Sequence, residues 1–209
     1  FTFFALIFLL CLFVSMLKRS GLKATLVFMA LGVFILLLIN AGHWMRNTNT
    51  FGSPLYTDTD VSVVNARFGL KPTVSNLSRH IVVQLNGKYG FINVAVEKAV
   101  IQVHDWMNMN LFDPAITHGP GEFYYVPTRE EVAGNPFHFA LTGLSFILLL
   151  LSFIQKHNRT AAARTLILSL AGFASLLLFS AVFRWQAWST RFLIPYYIAF
   201  APVIGFVYS

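Results

Sequence analysis

The chain has 209 residues, of which 56% are hydrophobic, 16% aromatic and only 11% charged. Soluble domains carry roughly 25% charged residues, so this composition excludes a protein whose whole surface faces water. The net charge of +7 does not indicate a nucleic-acid-binding protein, because the excess lysines and arginines lie in short connections between apolar runs. We therefore expect an integral membrane protein that contacts lipid and no nucleic acid.

Five apolar runs predict the fold. Each is near the ~20 residues that a helix needs to cross the hydrocarbon core, where only a helix satisfies its own backbone polar groups. We expect an all-α polytopic membrane protein with about five transmembrane helices and a long, partly helical extracytoplasmic segment. Helices 1 and 2 are expected within residues 1–42, the extracytoplasmic segment at 43–135, and helices 3 to 5 within 136–209. The runs themselves cover residues 1–17, 24–42, 136–154, 165–183 and 192–208.

The charges between these runs predict the orientation of the chain. The connections after the first and third runs carry basic residues and no acid. These residues are Lys18, Arg19, Lys23, Lys156, Arg159 and Arg164. The positive-inside rule places both connections in the cytoplasm, so residues 43–135 and 184–191 face outward from the cytoplasmic membrane. Because the chain starts and stops inside apolar runs without an initiator Met, we also expect an internal fragment of a longer protein.

Two amphipathic helices are predicted within the outer segment. Residues 43–62 are rich in turn formers and predict irregular chain. A first helix is expected after Pro72, running to about Leu85. A second is expected over Ile92–Met109, with an apolar stripe made of Val96, Ala99, Val100, Val103 and Trp106. Helices of this kind lie against the bilayer or against the helix bundle.

The turn between the fourth and fifth runs is the main candidate for a binding site. Arg184 and Arg191 bracket Trp185 and Trp188, and no acidic residue lies between them. A guanidinium suits a phosphate, and an indole offers a flat apolar face to a sugar ring or a lipid. Ser189 adds a hydrogen-bond donor. The turn predicts a site for a lipid-linked phosphate or pyrophosphate, or alternatively the belt of Trp and Arg found at membrane boundaries.

A second polar cluster lies at the outer mouth of the third run and contains Glu130, Glu131, Asn135 and His138. Carboxylates beside a histidine bind a divalent cation or assist proton transfer. Alternatively, the two glutamates are a solvated helix start favoured by the helix dipole. His138 lies one turn inside the apolar run, where a polar side chain is expected to face the bundle. A divalent cation is the only cofactor to which the sequence points.

Two weaker candidates lie elsewhere in the outer segment. Asn76-Leu-Ser78 matches the acceptor pattern for N-glycosylation, a short motif of low specificity. His104 and Asp105 are adjacent on the second predicted helix, so their side chains diverge and cannot act as a pair. We expect an exposed helix face at that position.

Several of these segments together resemble the GT-C superfamily of membrane glycosyltransferases, including family-39-like enzymes. Arg184-Trp-Gln-Ala-Trp-Ser-Thr-Arg-Phe-Leu-Ile-Pro195 resembles the turn before a late transmembrane helix in those enzymes. Ala133-Gly-Asn-Pro136 with His138 resembles a short motif that precedes another transmembrane helix. The resemblance covers scattered blocks of residues 44–197, including Phe51-Gly-Ser-Pro54 and Lys71-Pro-Thr-Val-Ser-Asn76.

The resemblance implies transfer of a sugar from a polyprenyl-phosphate-linked donor outside the cytoplasmic membrane, by an inverting displacement. Arg184 and Arg191 would hold the donor phosphate, and Trp188 and Ser189 would shape the pocket. The implied essential acid, often an Asp, belongs to an outer loop near the N-terminus, so the catalytic base is expected outside this fragment. Glu130 and Glu131 match no part of the family motif. The substrate-binding residues predicted in all are Arg184, Trp185, Trp188, Ser189, Arg191, Asn135 and His138.

Two other functions remain open from the sequence. One is a transporter or flippase for a lipid-linked or anionic substrate, although transporters usually bind near the bilayer midplane and here the polar residues crowd the outer mouth. The other is a non-enzymatic assembly protein whose outer segment binds another protein.

Overall fold

The computed structural model describes residues 2–54, 63–87, 89–118, 134–154 and 159–208. The described chain is helical, as predicted, and its only extended pairings are isolated bridges between Val64 and Phe183 and between Thr117 and Trp185. The described residues divide into two compact units: one lies within residues 9–54, and the other consists of residues 2–8 and the described residues from 63 onward. The helices are α1 (Thr2–Phe51), α2 (Leu70–Leu85), α3 (Gly90–Met107), α4 (Pro136–Ile154), α5 (Arg159–Val182), a 3-10 helix (Ala187–Leu193) and α6 (Ile194–Tyr208).

Among the described residues, three helices are long and apolar enough to cross a membrane: Leu9–Phe51, Arg159–Val182 and Ser189–Tyr208. The apolar part of α4, Pro136–Ser152, is shorter than these. The first of the three has 43 residues, about twice the ~20 that one crossing requires. These lengths support the membrane prediction, whereas the predicted count of about five spans is not confirmed.

Helix α1 joins the first two predicted runs into one helical element that is interrupted at Gly21. The φ of Gly21 is 74°, in the left-handed region that favours glycine. The interruption lies between Arg19 and Lys23, where the sequence predicts a connection between two helices. The sequence therefore predicts where the helix changes direction. It does not predict that the interruption is a single residue.

The second part of α1 extends through Phe51, so the prediction of irregular chain after residue 42 is wrong up to that point. Polar side chains bond within the helix there, because Thr48 Oγ1 donates to the Trp44 carbonyl at 2.8 Å and Asn47 pairs with His43 at 3.2 Å. The helix ends at Gly52, whose φ of 72° suits a glycine at a helix C-terminus.

Helices α4, α5 and α6 pack against one another around an apolar core. At one close approach, a Cβ added to Gly172 of α5 would lie 2.7 Å from Cε2 of Phe200 in α6. Only a glycine allows the two helices this separation. The buried members of the core are Leu149, Ala162, Leu176, Phe179, Leu193, Tyr196, Phe200 and Val203.

Helix α2 packs against both α5 and α3. It ends at Leu85, as predicted, but begins at Leu70, before Pro72. A proline is tolerated in the first turn of a helix, where the missing N–H needs no partner. The Thr73 hydroxyl donates to the Gly69 carbonyl, just before the helix, at 2.8 Å.

Helix α3 is rotated relative to the sequence prediction, so that only part of the predicted stripe, including Val100, is buried. The predicted stripe ends at Trp106, but that side chain is 85% exposed. The buried side carries Asn93, Val100, His104 and Met107. The helix is rotated because hydrogen bonds from α2, which the apolar periodicity does not report, decide which side faces inward.

Candidate functional site

Two asparagines satisfy the carbonyl groups at the C-terminal end of α5, which a helix otherwise leaves without partners. Asn76 Nδ2 donates to the carbonyls of Ser180 at 3.1 Å and Phe183 at 2.9 Å. Asn65 Nδ2 donates to the Ala181 carbonyl at 2.8 Å. These bonds fix α2 and the chain at residue 65 to the end of α5, next to the predicted binding turn.

The same contacts exclude the glycosylation reading of Asn76-Leu-Ser78. The Asn76 side chain is fully buried, and its nitrogen donates to the two carbonyls and to Asn65 Oδ1. A glycan needs this nitrogen exposed at the surface. Asn76 is therefore a structural residue in the folded protein.

Arg79 is buried on the same side of α2 and binds the loop that follows α3. Its guanidinium donates to Thr117 Oγ1 at 2.7 Å and to the Leu111 carbonyl at 3.0 Å. It also lies 5.1 Å from the centroid of the Trp185 ring, a distance typical of a cation–π contact. Burial lowers the pKa of Arg79 to about 9, against the opposing effect of Asp113, so the group stays charged at neutral pH.

The first residues of the predicted binding turn are held on both sides by the outer segment. The Arg184 backbone N–H donates to the Val63 carbonyl at 2.9 Å. Trp185 donates to the Ile116 carbonyl at 2.8 Å and accepts from the His118 N–H at 2.8 Å. The turn is therefore part of a hydrogen-bonded layer and does not extend from the bundle as a separate loop.

His80 connects α2 to the 3-10 helix. Its Nδ1 lies 3.1 Å from the Ser189 hydroxyl, and its ring lies 5.2 Å from the ring of Phe179. Burial, followed by the charge of Arg79, lowers the pKa of His80 to about 3, so the imidazole is neutral at physiological pH. Its Nε2 is buried without a hydrogen-bond partner among the described residues.

Gln84 connects α2 to both α4 and α6. Its Oε1 accepts hydrogen bonds from the Tyr197 hydroxyl at 2.9 Å and from Asn135 Nδ2 at 3.3 Å. A cavity of about 10 Å³, lined by Gln84, His80 and Tyr197 among others, separates these helices.

The structure places the predicted residues of the turn at different depths. Arg184 is half-buried, and its Nε donates to the Val64 carbonyl at 3.0 Å. Arg191 is exposed on the 3-10 helix, whereas Ser189 is fully buried. Trp185 is only 4% exposed and packs on protein neighbours, so its ring does not form part of the surface. The backbone of Trp188 belongs to the 3-10 helix, and its side chain lies outside the described part.

The second predicted cluster is described only in part. Asn135 meets α2 at Gln84, as described above. His138 is exposed, and its ring centroid lies 5.8 Å from that of Tyr197, so it faces the bundle only on that side. Glu130 and Glu131 lie outside the described residues. Within the described ranges, no group of three His, Cys, Asp or Glu side chains is arranged to hold a metal ion.

His104 is buried, not exposed as the sequence predicts. Its Nδ1 lies 2.8 Å from the Val100 carbonyl, which can only accept, so Nδ1 carries the proton. Its Nε2 then accepts from the Ser75 hydroxyl at 2.7 Å. A serine hydroxyl on a histidine nitrogen is the geometry of an activated nucleophile, but both side chains are buried. This pair therefore joins α3 to α2.

No protein-family model, curated protein or solved structure matches this chain. The functional interpretation rests on the residues and on the geometry described above.

The sequence analysis missed Arg79, His80, Gln84 and Tyr197. One signal for the residues of α2 is visible in the sequence. Asn76, His80 and Gln84 recur every four residues, which places three hydrogen-bonding side chains along one side of a helix. Such a stripe usually faces water, and only the partners on α4, α5 and α6 identify it as the buried side.

Proposed function

We propose that this chain is part of a membrane glycosyltransferase that moves a sugar from a polyprenyl-phosphate-linked donor to an acceptor on the extracytoplasmic side. The proposal rests chiefly on the meeting of two polar clusters that lie far apart in sequence. Ser189 contacts His80, and Asn135 contacts Gln84. His80 and Gln84 are four residues apart on α2, about one helical turn, so the turn and Asn135 lie at one mouth of the helix bundle.

The two arginines of the turn support an anionic ligand at this mouth. An arginine at a membrane boundary is costly unless it pairs with an anion or reaches water, and its planar fork fits a phosphate. Arg191 is exposed directly before α6, and the bond from Arg184 Nε to the Val64 carbonyl fixes the direction of that side chain. In the proposed complex both guanidinium groups contact the phosphate of the donor.

The reaction that follows is a displacement at the anomeric carbon. The acceptor oxygen attacks this carbon and loses its proton to a base, while the bond from the anomeric carbon to the phosphate oxygen breaks. The polyprenyl phosphate leaves with the bonding electrons, and the arginines stabilise its growing negative charge. The base is an acidic residue of an outer loop, as the family resemblance implies.

His80 does not serve as that base. A buried imidazole with a pKa lowered to about 3 is a weak proton acceptor at neutral pH. We assign it to positioning the 3-10 helix through Ser189, so that Arg191, two residues further along, is held at the mouth.

Replacing Arg191 tests this function directly. We expect Arg191→Ala to reduce sugar transfer by about a hundredfold, the usual cost of removing one group that stabilises developing charge. Transfer is measured in membranes supplied with a panel of polyprenyl-phosphate-linked sugars. Arg164→Ala is the matched control, since Arg164 is exposed near the other end of α5 and should leave transfer unchanged.

Two outcomes would contradict the proposal. One is normal transfer by the Arg191→Ala protein when its amount in the membrane equals that of the wild type. The other is movement of the intact lipid-linked substrate across the bilayer by the wild type without release of its sugar, which would identify a flippase.

A further inference from the structure

The start of α3 presents apolar side chains to the exterior. Phe91 is 75% exposed, and Tyr89 and Val94 beside it are also exposed. The ring centroids of Tyr89 and Phe91 are 6.1 Å apart, so they form one aromatic group. Grouped apolar side chains of this kind mark a surface that contacts another apolar phase.

Contacts from α2 hold this end of α3 at the level where α4 and α6 begin. Asn93, in the first turn of α3, exchanges two hydrogen bonds with the Gly87 backbone, at 3.0 and 3.1 Å. A Cβ added at Gly87 would lie 3.5 Å from Pro136 Cγ, the first residue of α4. Gln84, one turn earlier, bonds Tyr197 in the first turn of α6. The aromatic group therefore lies beside the outer ends of these apolar helices.

We propose that Tyr89, Phe91 and Val94 insert into the lipid–water interface of the bilayer that the helix bundle crosses. Phe137, in the first turn of α4, is 74% exposed at the same level and provides a second aromatic contact. Aromatic side chains are enriched at this depth, and an amphipathic helix there buries its apolar side by about 5–10 Å. The proposal depends on the membrane assignment and is independent of the glycosyltransferase proposal.

The other end of α3 provides an internal comparison. Trp106 is 85% exposed on roughly the same side, 15 residues after Phe91 and so about 22 Å along the axis. It lies near the start of α2, where Lys71 Nζ donates to the Met107 carbonyl at 3.0 Å. Because α2 runs from the end of α5 at Asn76 to α4 and α6 at Gln84, its start is the end farther from α4 and α6. Exposure alone does not distinguish the two ends of α3, but the contacts at Pro136 and Tyr197 place only the Phe91 end beside α4 and α6.

The test compares single cysteines at the two ends of the helix. In a Cys11→Ser background, Phe91→Cys and Trp106→Cys proteins are labelled with a polarity-sensitive fluorophore and reconstituted into phosphatidylcholine vesicles. Some vesicles contain phosphatidylcholine with brominated acyl chains, which quench fluorophores within the bilayer. We expect several-fold stronger quenching and a blue-shifted emission for the label at residue 91. Val94→Cys repeats the measurement if the residue 91 variant does not fold.

Equal quenching at residues 91 and 106, or none at residues 91 and 94, would overturn the proposal. Quenching that disappears as the ratio of protein to lipid rises would also overturn it, since a second copy of the chain would then cover this surface.

Discussion

His80 on α2 and Ser189 on the 3-10 helix face each other across 3.1 Å, and both side chains are fully buried. These residues are more than a hundred positions apart in the chain. Both are polar, so the apolar pattern of the sequence does not identify them as buried. Their contact makes the outer segment and the candidate phosphate-binding turn one structural unit. Substitutions in α2 should therefore affect the turn, although α2 contains none of the substrate-binding residues that the sequence predicts.

The buried His80 predicts that the protein loses stability in acid. The pKa of a histidine in the unfolded chain is about 6.5, and in the folded chain burial lowers the pKa of His80 to about 3. Between these values the unfolded state binds a proton that the folded state does not, so stability falls as pH decreases from about 6.5 towards 3. The expected slope is at most about 1.4 kcal/mol per pH unit. Burial lowers the pKa of His104 as well, which acts in the same direction.

The measurement is the midpoint of thermal unfolding in detergent between pH 7 and pH 5. His80→Gln should unfold at a lower temperature than the wild type at pH 7 but show a smaller decrease on acidification. His138→Gln is the control, because it makes the same substitution at an exposed histidine. An unaltered pH dependence in His80→Gln would show that His80 is not buried in its neutral form.

Arg79→Met should destabilise the protein by about 3 kcal/mol or more. The substitution keeps an unbranched apolar stem but removes the guanidinium, which leaves Thr117 Oγ1 and the Leu111 carbonyl without their buried donor, at about 1–3 kcal/mol each. Denaturant unfolding followed by Trp fluorescence measures the change, since Trp185 lies against Arg79. Arg67→Met removes an exposed ion pair with Asp113 and should cost at most about 1 kcal/mol. Equal effects of the two substitutions would contradict the buried network.

Gly172→Ala should separate α5 from α6. The added methyl would lie 2.7 Å from Phe200 Cε2, and overpacking of this kind costs about 1–3 kcal/mol. Adding Phe200→Leu should restore part of the loss, because the smaller side chain leaves room for the methyl. Gly143→Ala, on α4, meets no atom within 4 Å and should be neutral or slightly stabilising. Thermal midpoints of the four proteins check this, and a Gly172→Ala protein as stable as wild type would refute the close approach.

Much of the helical architecture could be predicted from the sequence. The run at 136–154 matches α4 in both bounds, and the end of α2 at Leu85 is as expected. Boundaries failed where polar residues continue a helix, as after residue 42 in α1, since hydrogen bonds within the helix replace the turn that the composition suggests. The candidate site was predictable only at its rim. Its interior, at Arg79, His80 and Gln84, was missed because polar side chains on a helix outside the apolar runs usually face water.

The sequence by itself determined that this protein needs lipid as part of its solvent, because too few charged residues exist to cover it and because the apolar runs are as long as a bilayer crossing. It also determined that the charged residues and all four tryptophans lie outside those runs. Only the tertiary structure decided which side of α2 and of α3 is buried. Periodicity shows that a helix has two different sides, but the stability of a buried polar side depends on partners that the chain brings from distant positions, as Asn135 and Tyr197 do for Gln84.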